Sequence, residues 1–276
     1  MAFWALSQIV GLALLLHIKI REGDIFRPAD TVRKFATNYV IKNRNSCYNS
    51  VKTLVMSRIP VYFMPGLAAS SAIFERIRLP EDIFETILLE WTLPLEGETL
   101  RQYANRMAAQ VTLENPVLIG VSFGGVLVQE MAQFLKPKKV IIISSVKSNL
   151  EFPRRMRFAK TTKAYKLIPT RLMGNIELLA KLPFRGEKVQ QRIKLYEKFL
   201  SMRERKYLDW ALEQIIMWDR VEADANVIHI HGDADEVFPP KYIKGDFLAV
   251  PSGTHIMIIS KFKWLNEHLP DLILGK

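Results

Sequence analysis

From Ile59 to Ser145 short apolar runs alternate with amphipathic stretches, and this rhythm constrains the fold more than any other feature of the chain. IPVYFM (59–64), FETILLEW (84–91), PVLIG (116–120) and KVIIISS (139–145) read as strands. Between them, 99–110 carries Leu100, Tyr103 and Met107 at helical spacing, and 123–135 reads as the helix after the third strand. The text after Pro65-Gly66, through Phe74 and Ile77, is also helix-like. Strands separated by helices are joined by crossovers and therefore pair in parallel. The run at 139–145 is apolar through its centre, as a strand covered on both faces must be.

After Lys147 the rhythm stops. As far as about Ala225 the text is helical and rich in lysine and arginine; strands resume at 226–231 and 247–250, and a last helix carries Phe262, Leu265 and Leu269. The predicted class is α/β, a mostly parallel sheet with flanking helices and an inserted helical cap. Residues 56–146 and 225–276 form the core of this reading, 147–224 the cap, and 1–55 an N-terminal extension. A chain of 276 residues, 49% of them hydrophobic, can bury such a core without staples.

Gly120-Val121-Ser122-Phe123-Gly124 stands between a predicted strand and a predicted helix. In that setting G-x-S-x-G is a tight turn that lifts a serine hydroxyl above the sheet edge, with glycines where a Cβ would collide. The helix that starts at Phe123 aims free backbone N–H groups at the same place. An ordinary helix-capping turn has the same five letters. A nucleophilic serine also needs a base and an acid that orients the base. HGDADEVFPP, after one late strand, offers Asp233 and Asp235. Asp235 lies far enough into the loop to reach sideways, whereas Asp233 is placed to close the turn by local hydrogen bonds. PSGTHIM, after the next strand, offers His255 behind Gly253-Thr254.

The remaining histidines fit the base less well. His17 lies in the extension, His268 on the terminal helix facing solvent, and His229 and His231 inside a strand, where packing is the expectation. His229-Ile-His231-Gly-Asp233 partly matches a binuclear metal motif, but Ala234 stands where that motif needs another histidine. No metal and no cofactor is expected. A developing oxyanion needs two backbone donors, and the candidates are the N–H groups of Phe123 and, from the loop after the first strand, Leu67.

On these residues the chain resembles the α/β-hydrolases of the esterase, lipase and thioesterase type, from about Arg58 onward. The resemblance rests on Pro65-Gly66, Gly120 to Gly124, Gly232-x-x-Asp235 and Gly253-x-His255. It implies Ser122, Asp235 and His255 as a catalytic triad and Leu67 and Phe123 as the oxyanion hole. It also implies hydrolysis of an ester or thioester, and a serine in place of aspartate speaks against dehalogenase or epoxide-hydrolase chemistry. Many relatives have His-Gly where this chain has Pro65-Gly66. Compact relatives begin just before the first strand here, which points to Met56 as the natural start. In the cap, Leu167, Ile168, Leu172, Leu179, Leu182, Leu195, Phe199, Trp210 and Trp218 either line an acyl pocket or pack the cap onto the core.

The charge of +11 narrows the partners less than it suggests. It suits an anionic membrane, a phosphorylated acyl carrier or a plainly solvated basic surface. No basic and aromatic interleaving suggests nucleic acid. The lone Cys47 forms no internal disulfide and is compatible with the cytoplasm. MAFWALSQIVGLALLL, at the N-terminus, has its cations after the apolar run rather than before it, unlike a secretory signal. It is shorter than the roughly 20 residues of a comfortable span, so contact with a membrane surface is the role it allows. The readings left open are a soluble hydrolase, a membrane-surface lipase and a binding protein that keeps the fold without turnover.

Overall fold

The computed structural model describes residues 58–168, 170 and 198–276; the 1–55 extension, Met56 and cap residues Leu172, Leu179, Leu182 and Leu195 lie outside them. Among the described residues there are six strands in one sheet: β1 (Ile59–Met64), β2 (Phe84–Leu88), β3 (Val117–Val121), β4 (Lys139–Ile143), β5 (Val227–Gly232) and β6 (Leu248–Val250). Their spatial order is β2-β1-β3-β4-β5-β6, and every neighbouring pair is parallel.

The order of strands reverses at β1. The chain first moves outward to β2, then crosses back to place β3 on the other side of β1, with Met64 level with Gly120. Loops leaving the carboxyl ends of β1 and β3 therefore diverge to opposite faces and open a crevice between them. The Pro65-Gly66 turn and Ser122 occupy that point.

Both faces of the sheet are covered. Along β1, Val61 and Phe63 enter one apolar cluster and Tyr62 and Met64 the other, the two-residue alternation of a strand. The first face carries α5 (Met257–Ser260) and α6 (Phe262–Leu274), which bury Met257, Ile258, Leu265, Leu269 and Ile273. The second carries α1 (Leu100–Ala108), α2 (Phe123–Met131), α3 (Arg154–Thr162) and α4 (Arg205–Met217). Burial on both sides explains why the central strands read as continuous apolar runs. α1 starts at a capping box: the Thr99 hydroxyl accepts from Gln102 N–H, and the Gln102 side chain accepts from Thr99 N–H.

The helix-like text after Gly66 is wound more tightly than an α-helix. Ser71–Phe74 forms a 3-10 turn, and the Glu75 and Ile77 amides also bond three residues back. The amides before it are drawn outward, Ser70 N–H to the Phe199 carbonyl and Ser71 N–H to the Glu90 carboxylate. β2 ends at Leu88, short of Trp91, which continues inward as a buried side chain. α3 and α4 pack onto the same apolar cluster as α1 and α2, so these parts of 147–224 lie directly on the sheet's cover.

At the far side of the sheet, backbone meets backbone. Asp233 N–H donates to Val250 and Ala234 N–H to Gly253, which draws the loop after β5 onto the loop after β6. A Cβ at Gly232 would lie 2.1 Å from the Gly253 carbonyl oxygen. Gly232→Ala is therefore expected to destabilise the chain by about 1–3 kcal/mol, typical of overpacking, read as a lower midpoint in thermal and guanidinium unfolding.

Candidate active site

Ser122 follows β3 directly and has φ 52° and ψ −119°, a backbone conformation that residues with a Cβ rarely adopt. The turn is held from several sides. Ser122 N–H donates to the Ile143 carbonyl at 2.9 Å, and the Ser122 carbonyl accepts from the Ser145 hydroxyl at 2.7 Å and from Gly125 N–H at 2.9 Å. A Cβ at Gly124 would sit 2.3 Å from the Pro65 carbonyl oxygen, so only glycine lets the start of α2 approach the loop after β1. Such over-determination is what keeps a strained residue in place.

His255 Nε2 lies 2.9 Å from Ser122 Oγ, and His255 Nδ1 lies 2.9 Å from Asp235 Oδ2. A carboxylate only accepts, so the Nδ1 atom carries the proton and Nε2 is free to accept from the serine hydroxyl. The three side chains come from the ends of β3, β5 and β6. Both carboxylate oxygens of Asp235 are engaged: Oδ1 accepts from Val237 and Phe238 N–H at 2.8 and 2.9 Å. Burial alone would raise this carboxyl's pKa. The facing His255 imidazole, His231 and Phe238 N–H outweigh it, and the group titrates below its usual range.

The loop chemistry differs from the expectation for Asp233. Asp233 is exposed and accepts no hydrogen bond among the described residues, while Asp235 itself closes the turn through Oδ1. Its second oxygen is what remains for His255. The same residue thus serves the loop and the imidazole.

His229 and His231 are buried, as strand packing requires, and bonded to each other. His231 Nε2 lies 2.8 Å from the Phe238 carbonyl, so that nitrogen donates; its Nδ1 then accepts from His229 Nε2–H at 3.1 Å. Both rings are neutral in this chain of donors, and the Phe238 ring it supports packs edge-on to His255 at 5.5 Å. Among the described residues no group of three or more metal-ligating side chains occurs. His268 is half-buried: it bonds the Trp264 carbonyl and stacks on that indole at 3.9 Å.

The loop at Gly66 lies against the serine, with a Cβ at Gly66 only 3.5 Å from Ser122 Cβ. Neither Leu67 N–H nor Phe123 N–H has an acceptor among the described residues. Two aromatic residues that no motif marks also converge here: Trp91, bonded to the Gly66 carbonyl, and Tyr207, bonded to Ala68 N–H. In the sequence they look like any buried aromatic residue. Of the pocket-lining candidates, Leu167 is exposed, Trp210 is half-buried against the core, and Ile168, Phe199 and Trp218 are buried in it. A groove of about 800 Å³ lined by Thr99, Glu130, Trp218 and Arg220 lies apart and includes none of the Ser122, Asp235 or His255 side chains. The Glu130 carboxylate there is already engaged, since Trp218 Nε1–H and Arg220 both donate to it.

A parallel sheet with a strained serine turn at its switch point, and an acid and a histidine after its last two strands, is a specific arrangement. The fold is that of the α/β-hydrolases. Solved structures with this fold match along most of both chains. A bromoperoxidase from Bacillus anthracis is 18% identical, with 80% of this chain and 93% of that chain covered at a TM-score of 0.57. An esterase from Thermogutta terrifontis is 14% identical (79% and 90%, TM-score 0.55), and the RedJ thioesterase from Streptomyces coelicolor is 17% identical (78% and 86%, TM-score 0.52). No family model matches the sequence, and no curated protein matches it significantly. No helix among the described residues is long and apolar enough to cross a membrane.

Burial, with His231 and Lys147 as neighbours, lowers the His229 pKa to about 3. An unfolded chain takes up a proton there below about pH 6.5, whereas the folded chain does not. Stability contributed by the neutral ring is therefore complete above pH 6.5 and is lost as pH falls toward 3, on the order of 4–5 kcal/mol over the window. His229→Gln, which keeps a donor toward His231, is expected to flatten this dependence. Guanidinium midpoints measured from pH 7 to 4 should fall more steeply for the wild type than for the variant.

Proposed function

We propose that the chain is a serine hydrolase that cleaves a carboxylic ester or thioester through an acyl-enzyme on Ser122. The observation that carries this reading is the continuous hydrogen-bonded line from Ser122 Oγ through His255 to the buried Asp235 carboxylate. His255 Nε2 takes the hydroxyl proton as Oγ attacks the carbonyl carbon. The carbonyl oxygen becomes an oxyanion facing Leu67 N–H and Phe123 N–H, donors placed where the charge develops. Collapse expels the alcohol or thiol, which receives the proton from His255. Water, deprotonated by the same nitrogen, then attacks the acyl group and releases the carboxylic acid.

Asp235 stays ionised throughout. Its role is to hold the Nδ1–H tautomer and to stabilise the imidazolium formed in each half-reaction. The lowered pKa of this carboxyl supports that role, because a carboxylate that remained protonated near neutrality could do neither. Esterase and thioesterase names among the structures with the same fold are consistent with acyl transfer.

Fluorophosphonate probes test the reading directly. Wild type is expected to label on Ser122, and Ser122→Ala and His255→Ala are not. Asp235→Asn should stay folded and lose about 10⁴ in kcat on an aryl ester, because the amide selects the wrong imidazole tautomer. A folded wild type that neither labels nor turns over esters or thioesters would falsify the proposal and leave a binding role for the fold.

A further inference from the structure

Two buried aromatic side chains grip successive peptides of the loop beside Ser122. Trp91 Nε1–H donates to the Gly66 carbonyl at 2.8 Å. In a trans peptide the carbonyl and the following N–H point in opposite directions, so holding the Gly66 carbonyl toward the indole sets the direction of Leu67 N–H. The next peptide is held as well: Ala68 N–H donates to the Tyr207 hydroxyl at 3.3 Å. Ala68 has φ 62°, a conformation unfavourable for any residue with a Cβ, and rotation of the Leu67–Ala68 peptide would relieve it.

The grip is reinforced by the chain leading into α4. Ser70 N–H donates to the Phe199 carbonyl, Met202 N–H to the Ala68 carbonyl, and Ala69 pairs with Leu200 in an antiparallel bridge. Trp91 also stacks on Phe123, rings 5.2 Å apart and inclined by 8°, and packs against Tyr207 at 5.4 Å. One indole therefore touches Phe123 and the peptide group that carries Leu67 N–H.

We propose that Trp91 and Tyr207 are positioning residues that aim Leu67 N–H at the oxyanion. The proposal rests on the acyl-transfer reading above. Neither side chain acts on the ground state in this scheme, so losing their hydrogen bonds weakens an interaction made in the transition state. Such a loss lowers kcat and leaves KM nearly unchanged.

The test compares wild type, Ser122→Ala, Trp91→Phe and Tyr207→Phe on p-nitrophenyl acetate and butyrate, with thermal midpoints and pH profiles for each. Both phenylalanine variants keep an aromatic ring and remove one hydrogen-bonding group. A fall in kcat of about ten- to a hundredfold, short of the loss of a whole oxyanion donor, is expected with KM within twofold. The pH profile should keep its midpoint, because the contacts of His255 are untouched. Wild-type kcat in either folded variant overturns the proposal, and so does a shifted pH profile, which would place the effect in the triad. Should Trp91→Phe fail to fold, Tyr207→Phe, which lacks a single oxygen, decides alone. A wild type that fails to label with fluorophosphonate overturns the acyl-transfer reading and this inference with it. Labelling with unchanged variant kinetics overturns this inference alone.

Discussion

At the carboxyl ends of β1 and β3 there is no room for a side chain between the Pro65 carbonyl and the first turn of α2. That contact is the constraint on which the rest of the site depends. Because glycine at 124 lets α2 close on the loop, the chain must leave β3 through a sharp turn, and Ser122 is left in a conformation it would not choose alone. The turn lifts its hydroxyl out of the sheet. The same closeness brings the Gly66 loop beside the serine, so the Ser122 hydroxyl and the candidate donors are set by one packing event rather than two.

The opposite half of the site is built from charge and hydrogen bonds rather than from contact. A buried carboxylate with an unused oxygen would be costly. Asp235 avoids this by giving one oxygen to the turn that carries it and the other to His255. Behind it, His231 and His229 supply a neutral, oriented pair of rings that holds the Phe238 carbonyl without placing a second cation beside His255. Arg155, on α3, donates to the Glu236 and Val237 carbonyls and so presses the acid-bearing loop from the other side. Glu151 accepts from Lys147 and Lys244 N–H and ties the chain after β4 to the same loop.

Much of this was legible in the sequence, for a reason particular to parallel sheets. Strands covered on both faces must be apolar throughout, so β1, β3 and β4 stand out as runs such as VYFM and VIII. The Ser122 turn stands out because its geometry demands glycine at fixed offsets. Order along the chain was enough to nominate Asp235 and His255, although their meeting with Ser122 depends on the sheet's strand order, which no local pattern encodes. What stayed hidden was carried by ordinary residues in unusual places. Trp91 and Tyr207 have the letters of any core aromatic. Asp233 and Asp235 share one loop, and the sequence does not say which of them is buried and bonded to backbone amides and His255. The stacking of half-buried His268 on Trp264, one helical turn away, likewise has no mark in the sequence.

The antiparallel bridge between Ala69 and Leu200 has a consequence for how such a chain can change over time. Inserted helices are often pictured as accessories that a hydrolase scaffold can exchange freely. Here the arm that leads into α4 is stitched by main-chain hydrogen bonds to the segment beside the serine. A recombinant that swapped the insertion at its outermost joints would discard those stitches along with the helices. An exchange that preserves these bonds must break before Phe199, so that the arm stays with the sheet that shaped it.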